Sequence, residues 1–205
     1  MVKDGYRFAL PPLIVGIILM VFQWWWAAAL VALGLFVLYF FRDPERTIPQ
    51  DPGAVVSPAD GRVVEIVDEP WEGRPGKRVS IFLSIFDVHV NRAPVAGKIR
   101  KVEYHPGRFM AAWNGKASAE NEQNAISIET PSGEMSFKQI AGWVARRIVC
   151  WKRVGDEVAL GERVGMIRFG SRVDIWLPSE AEILVKRGQH VAGGGTQLAR
   201  WQATK

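Results

Sequence analysis

"RVGDEVALGERVGMIRFGSRVDIWLP", Arg153–Pro178, decides how the chain folds. Turns are signalled at Gly155-Asp156 and Gly161-Glu162, with short apolar stretches between and after them. Short antiparallel strands must reverse through turns that tolerate positive φ, which glycine accepts without steric cost. The run then interrupts itself at Gly170-Ser171, between the strand-like "VGMIRF" and "RVDIWLP". Glycine inside a strand pattern commonly marks a β-bulge or a tight bend. The other explanation is that the backbone at Gly170-Ser171 is itself a place of chemistry.

Outward from this stretch the same rhythm continues. "AVVSPADGRVVEIV" reads as strand, Asp-Gly turn, strand, and "RVSIFLSIFDVHVNRAPV" as one long strand-like region ending at Pro94. "GKIRKVEYH", "NAISIET", "EMSFKQIAG", "VARRIVCWK" and "AEILVK" follow, and only "AWNGKASAENEQ" breaks the pattern, as a loop or short helix. No long amphipathic helical pattern occurs in this part. The turn spacing recurs in lipoyl- and biotinyl-type domains, so the expectation is a mainly β, barrel-sandwich or lipoyl-like domain over 54–205. Such a pattern speaks to fold and not to function.

The N-terminal part is different. From Phe8 to Phe41, 34 consecutive residues carry no charge. As one helix they would extend about 51 Å, against a hydrocarbon core of about 30 Å. Either one span is strongly tilted, or two arms, "PLIVGIILMVF" and "AAALVALGLFVLYFF", form a hairpin with Gln23 and Trp24 to Trp26 at its bend. A tryptophan cluster suits the membrane interface. The run is too long for a cleaved signal peptide, and no small-residue cleavage site closes it. Lys3 and Arg7 precede it and Arg42 and Arg46 follow it, which a hairpin with both ends on the cytoplasmic face satisfies. The chain is thus divided into a membrane-associating segment 1–41, a Pro-rich linker 42–53 and the β domain. A formal net charge of +5 favours an anionic lipid surface. No basic stripe with interleaved aromatics points to nucleic acid. The single cysteine, Cys150, excludes an intrachain disulfide and fits a reducing compartment.

The chain has three histidines, and histidine is the usual proton carrier near neutral pH. Asp87, His89 and Asn91 alternate, which would set them on one face of a strand, either a solvated face or a catalytic one. His105 sits before a Pro-Gly turn, and His190 lies beside another turn. Asp60, in "SPADGRV", is either the first residue of a hairpin turn or a working carboxylate. There is no G-x-S-x-G elbow, no metal-ligand spacing, no P-loop and no dinucleotide fingerprint. The residues alone support a membrane-anchored β domain with a Ser/His/Asp set.

"FFRDPERTIP", "VVSPADGRV", "FLSIFDVHVNRAPVAGKI", "YHPGRF", "KASAENEQN", "IAGWVARRIV" and "GERVGMIRFGSRVDIWLP" together resemble the short phosphatidylserine decarboxylase proenzymes, in order, over residues 40–199. The resemblance implies self-cleavage between Gly170 and Ser171 into a β chain, 1–170, and an α chain, 171–205, held together as a heterodimer or a higher oligomer. It implies a pyruvoyl cofactor made from Ser171, whose ketone forms a Schiff base with the serine amine of phosphatidylserine before CO2 leaves. Ser171, His89 and Asp60 would then be catalytic, with Asp60 orienting or charge-stabilising a base. Asn121, Glu122, Asn124 and His105 would border the headgroup. Longer members carry a second histidine where this chain has Arg92, so either His89 serves both steps or another group, such as His105, supplies the base. Membrane lipid would be the partner, with the catalytic domain on the cytoplasmic face and no metal required. Two other functions fit parts of the pattern: a non-enzymatic membrane-anchored barrel-sandwich adaptor, and a pyruvoyl decarboxylase of a different amine-bearing substrate.

Overall fold

The uncharged run forms two helices that fold back on each other. In the computed structural model, which describes residues 2–22, 25–108, 120–142, 147–168 and 171–201, α1 covers Lys3–Val21 and α2 covers Ala27–Phe40. They are antiparallel. The amide of Val2 donates to the carbonyl of Phe41 at 3.1 Å, and the rings of Phe8 and Phe41 stack 6.0 Å apart. A Cβ at Gly34 would lie 2.4 Å from the Leu13 side chain and 3.2 Å from the Ala9 carbonyl, so glycine is what lets the helices close. With 19 residues, α1 is long and apolar enough to cross a membrane; α2 has 14 residues, roughly 21 Å of helix. Ile14, Ile17, Ile18, Leu33 and Leu35 remain exposed, a surface suited to lipid rather than water. The hairpin is thus observed; Gln23 and Trp24 of its expected bend lie outside the described residues.

Residues Met1–Glu45 and Arg46–Lys205 form two compact units. In the second, an eight-stranded antiparallel sheet curls into a half-barrel. Its spatial order is β13 (His190–Val191), β2 (Gly61–Asp68), β3 (Gly76–Leu83), β11 (Ser171–Pro178), β7 (Gly133–Ala141), β6 (Gln123–Thr130), β5 (Gly97–His105) and β9 (Glu157–Val158). Two three-stranded sheets complete the unit: β1 (Ala54–Val56), β14 (Gln197–Arg200) and β12 (Glu182–Ile183); and β4 (Val90–Arg92), β10 (Arg163–Ile167) and β8 (Ile148–Cys150). All three sheets share one core. Val55 and Leu198, Val164 and Ile167, and Val63, Ile81, Phe137, Val173 and Ile175 are buried within it. The two turns of the opening stretch fall where expected, with φ of 97° at Gly155 and 73° at Gly161.

Two expectations fail. "AVVSPADGRVVEIV" is no hairpin, because β1 pairs with β14 while β2 pairs with β3 and β13. Residues 57–60 instead cross between sheets, so Asp60 is not a hairpin-turn residue. The long strand through His89 is also broken. Between β3 and β4 the chain turns, because the Asp87 carboxylate accepts from both the amide (2.8 Å) and the hydroxyl (2.7 Å) of Ser84. Apolar residues in that turn (Ile85, Phe86, Val88) gave it the composition of a strand.

Candidate active site

β11 is the central strand of the large sheet, and Ser171 is its first residue, opposite Leu83 on one side and Ala141 on the other. Side chains alternate along a strand, and Val173, Ile175 and Leu177 belong to the core. Ser171 therefore faces inward with them. It is fully buried, and among the described residues its Oγ has no hydrogen-bond partner. Leaving a buried hydroxyl unsatisfied costs about 1–3 kcal/mol, so a stability argument alone does not explain a serine here. Gly170 lies outside the described residues.

Around this hydroxyl the inner face is lined with amides. Gln139, which pairs with Val173, donates to Asn91 Oδ1 at 2.9 Å and accepts from Asn124 Nδ2 at 2.9 Å. The Asn124–Gln139–Asn91 chain bridges the large sheet to β4. Asn121 Nδ2 donates at 2.8 Å to the carbonyl of Ala141, the residue facing Ser171, and the Ala141 amide donates to the Glu122 carbonyl at 2.9 Å. Asn121, Glu122 and Asn124 are all buried. They are brought to the Ser171 end of the sheet; the neighbouring segment 109–119 lies outside the described residues.

His89 is fully buried. Its Nδ1 lies 2.9 Å from the Asp87 carbonyl, and a carbonyl only accepts, so Nδ1 carries the proton and Nε2 is the basic nitrogen of the neutral ring. The His89 carbonyl accepts from the Ile167 amide at 3.3 Å, tying it to the strand that leads toward Ser171. Asp60 is buried and accepts from Arg46 Nη2 and from the Gly193 amide, each at 2.7 Å. Burial raises its carboxyl above the usual aspartate range; the Gly193 amide and Arg46 offset only part of that, and the Asp87 charge adds to it. Burial acts upward on Asp87 too, but the two Ser84 hydrogen bonds and His190, 2.9 Å away, hold its carboxyl below the usual range. Asp60 and Asp87 thus form a pair of unlike carboxyls, one inclined to hold a proton and one to remain an anion.

His105 is placed elsewhere. It ends β5, its side chain is 54% exposed, and it faces Glu103 at 3.8 Å. Arg92 is buried and donates to the Gly161 carbonyl at 3.0 Å, serving the turn after β9. Sequence reasoning missed Gln139, Arg46 and the pairing of Asp87 with His190. The partners of Asp60 lie 14 and 133 residues away, and no local periodicity signals either.

A protein-family model described as phosphatidylserine decarboxylase matches residues 33–199. A phosphatidylserine decarboxylase proenzyme from Symbiobacterium thermophilum is 45% identical over 202 residues, 97% of this chain and 94% of the relative. One from Cupriavidus pinatubonensis is 50% identical over 185 residues, 88% and 85% of the two chains.

Proposed function

The chain belongs to the phosphatidylserine decarboxylase family, and on that premise we propose that it converts phosphatidylserine to phosphatidylethanolamine with a pyruvoyl group made from Ser171. The buried hydroxyl at the head of the central strand, without a hydrogen-bond partner among the described residues, carries this reading. A pyruvoyl has no hydroxyl to satisfy, so at this position an unmet Oγ would give way to a methyl group on the apolar face of β11. The position fits the group.

The first work of the site is on its own backbone. Ser171 Oγ attacks the carbonyl carbon of Gly170, the peptide C–N bond breaks, and an ester replaces it as the nitrogen takes up a proton. Removal of the Ser171 Cα proton then expels the Gly170 carboxylate and leaves dehydroalanine. Water converts that residue to pyruvoyl and releases ammonia. His89 Nε2 is the group assigned to these proton transfers, with its ring held by the Asp87 carbonyl. Asp60, held by Arg46 and the Gly193 amide, would supply negative charge once ionised, against the upward pull of burial.

When formed, the pyruvoyl supplies a ketone that takes the substrate amine and draws off the electron pair left by CO2. His89 would return the proton to the substrate carbon, and Asn121, Glu122 and Asn124 would border the headgroup. The cut does not free the α chain. Its strands β11, β13 and β14 pair with β3, β7, β2 and β1 of the β chain, so the two remain interleaved. The helical hairpin would hold the enzyme to the membrane, with the catalytic unit on the cytoplasmic face. Ser171→Ala tests the reading: the chain stays uncut on a denaturing gel and releases no CO2, and full cleavage of that variant would sink it.

A further inference from the structure

The turn between β3 and β4 carries two partly exposed large apolar side chains: Ile85 is 41% exposed and Phe86 61%. Apolar surface that is contiguous and rimmed by polar residues is the kind that marks an interaction site. This turn is also built to keep both side chains there. Ser84 is hydrogen-bonded to Asp87 through backbone and side chain, and the Asp87 amide donates back to the Ser84 carbonyl at 3.0 Å. His190 Nε2 sits 2.9 Å from the other Asp87 oxygen and clamps the turn to β13. The tip is therefore preorganised, and docking it costs little ordering entropy. The turn's single carboxylate is directed inward.

Its neighbours are basic. Arg62 pairs in register with both His190 and Phe82, and its guanidinium donates at 2.7 Å to the carbonyl of Gly188. Gly188 follows Lys186 and Arg187, both exposed. Arg62, in register with Phe82 and His190, and the exposed Lys186 and Arg187 of the loop it contacts lie on the β13 side to which the turn is clamped, and apolar side chains with such cations on one flank suit an anionic bilayer surface. The location gives this surface a purpose. Leu83 faces Ser171 across the sheet, and Phe86 is three residues farther, at most roughly 11 Å of chain.

We propose that the Ser84–Asp87 turn, with Ile85 and Phe86 at its tip and Arg62, Lys186 and Arg187 beside it, is a bilayer-docking wedge of the catalytic unit that brings the Ser171 site to the lipid surface. The inference rests on the reading that the substrate is a phospholipid. It adds a second membrane contact, separate from the helical hairpin, and assigns it to delivery of substrate rather than to attachment.

The test compares the full chain with an Ile85→Ser/Phe86→Ser variant on two substrates. One is phosphatidylserine in vesicles with phosphatidylcholine into which the protein is reconstituted; the other is a water-soluble short-chain phosphatidylserine in detergent. The variant is expected to self-cleave normally, keep its rate on the soluble substrate and lose about tenfold or more on vesicles, the scale of two apolar side chains no longer buried. Equal losses on both substrates, or no loss on either, overturn the proposal. An unchanged vesicle rate with an altered oligomeric size would assign the turn to a contact between copies and overturn it equally. Independently of activity, a bimane label on Ile85→Cys in a Cys150→Ser background should be quenched by lipids carrying a nitroxide in the upper acyl chain; an unquenched label contradicts docking. If the unmodified chain decarboxylates neither substrate, the functional reading fails, while the label still reports on the wedge.

Discussion

The two faces of β11 are both buried, but by opposite means. The inner face carries Ser171, Val173, Ile175 and Leu177 into the apolar core. The outer face carries Arg172, Asp174 and Trp176, and Arg172 and Asp174 are at most 2% exposed. There Arg172 donates to Asp174 at 2.7 Å, to Glu65 at 2.8 Å and to Ser80 at 2.7 Å. Arg78 donates to Glu65 and to Glu69 at 2.8 Å each. Glu65 reaches this network through a bulge, because the β2–β3 register slips between Val63 and Glu65 and sets Glu65 opposite Ser80. A one-residue slip moves a side chain to the other face. The charged groups of the outer face are all paired, and only the indole N–H of Trp176 there lacks a hydrogen-bond partner among the described residues, whereas the apolar face keeps a hydroxyl with none among them. That contrast separates anchoring from chemistry. On the proposed self-cleavage, the strand would be held after the cut from the face opposite Ser171.

The sharpest way to break this division is from the inner side. His89→Ala is expected to lower decarboxylation by about 10²–10⁴-fold, the usual worth of a positioned acid–base group, with the folded state retained; wild-type turnover would remove His89 from the site. On the outer side Asp174→Ala removes the buried carboxylate that Arg172 meets at 2.7 Å and Arg78 at 3.6 Å, leaving both guanidinium groups to Glu65, Glu69 and Ser80, and should cost up to about 3–5 kcal/mol of stability, read by chemical denaturation. Replacing the pair together, Arg172→Met with Asp174→Leu, should cost less, because no unpaired charge remains. If Asp174→Ala is as stable as the parent, the outer face is not the anchor.

Smaller effects come from the carboxyls. Arg46 favours the ionised form of Asp60, so Arg46→Ala raises the Asp60 pKa further above its ordinary value. The acid limb of the self-cleavage rate should then move to higher pH, and a shift to lower pH would exclude Asp60 as the group that must ionise. Burial acts upward on Glu65, but Arg78 and Arg172 outweigh it, and its carboxyl and that of Asp87 both lie below their ordinary values of 4.5 and 3.8. Their stabilisation is complete above those values and is lost as pH falls through the lowered ones. Asp60 runs the other way. Glu65→Gln should flatten the acid side of a stability–pH profile; an unchanged slope there would deny Glu65 this role.

What could be read from residue order was whatever local chemistry decides. Gly155 and Gly161 announced their turns because positive φ is a property of one residue, and the apolar arms of the hairpin announced themselves by length. The break at Ser84–Asp87 was hidden because Ile85, Phe86 and Val88 have strand-like composition, while the deciding contact is one carboxylate on one hydroxyl. The surroundings of Ser171 were legible only in part. Ser171, His89 and Asp60 stood out through neighbouring motif residues, but Gln139, Arg46 and the Asp87–His190 pair are set by sheet register and by crossings between sheets.

The central claim is that Ser171 is converted in place while its strand stays in the sheet. Intact mass spectrometry of the purified full chain, before and after denaturation, tests it most directly. The account predicts one native particle that separates on unfolding into chains 1–170 and 171–205, the smaller lighter by one ammonia than its serine-headed sequence. A single unbroken chain of 22.9 kDa, or a smaller chain that begins with an intact serine, would contradict it.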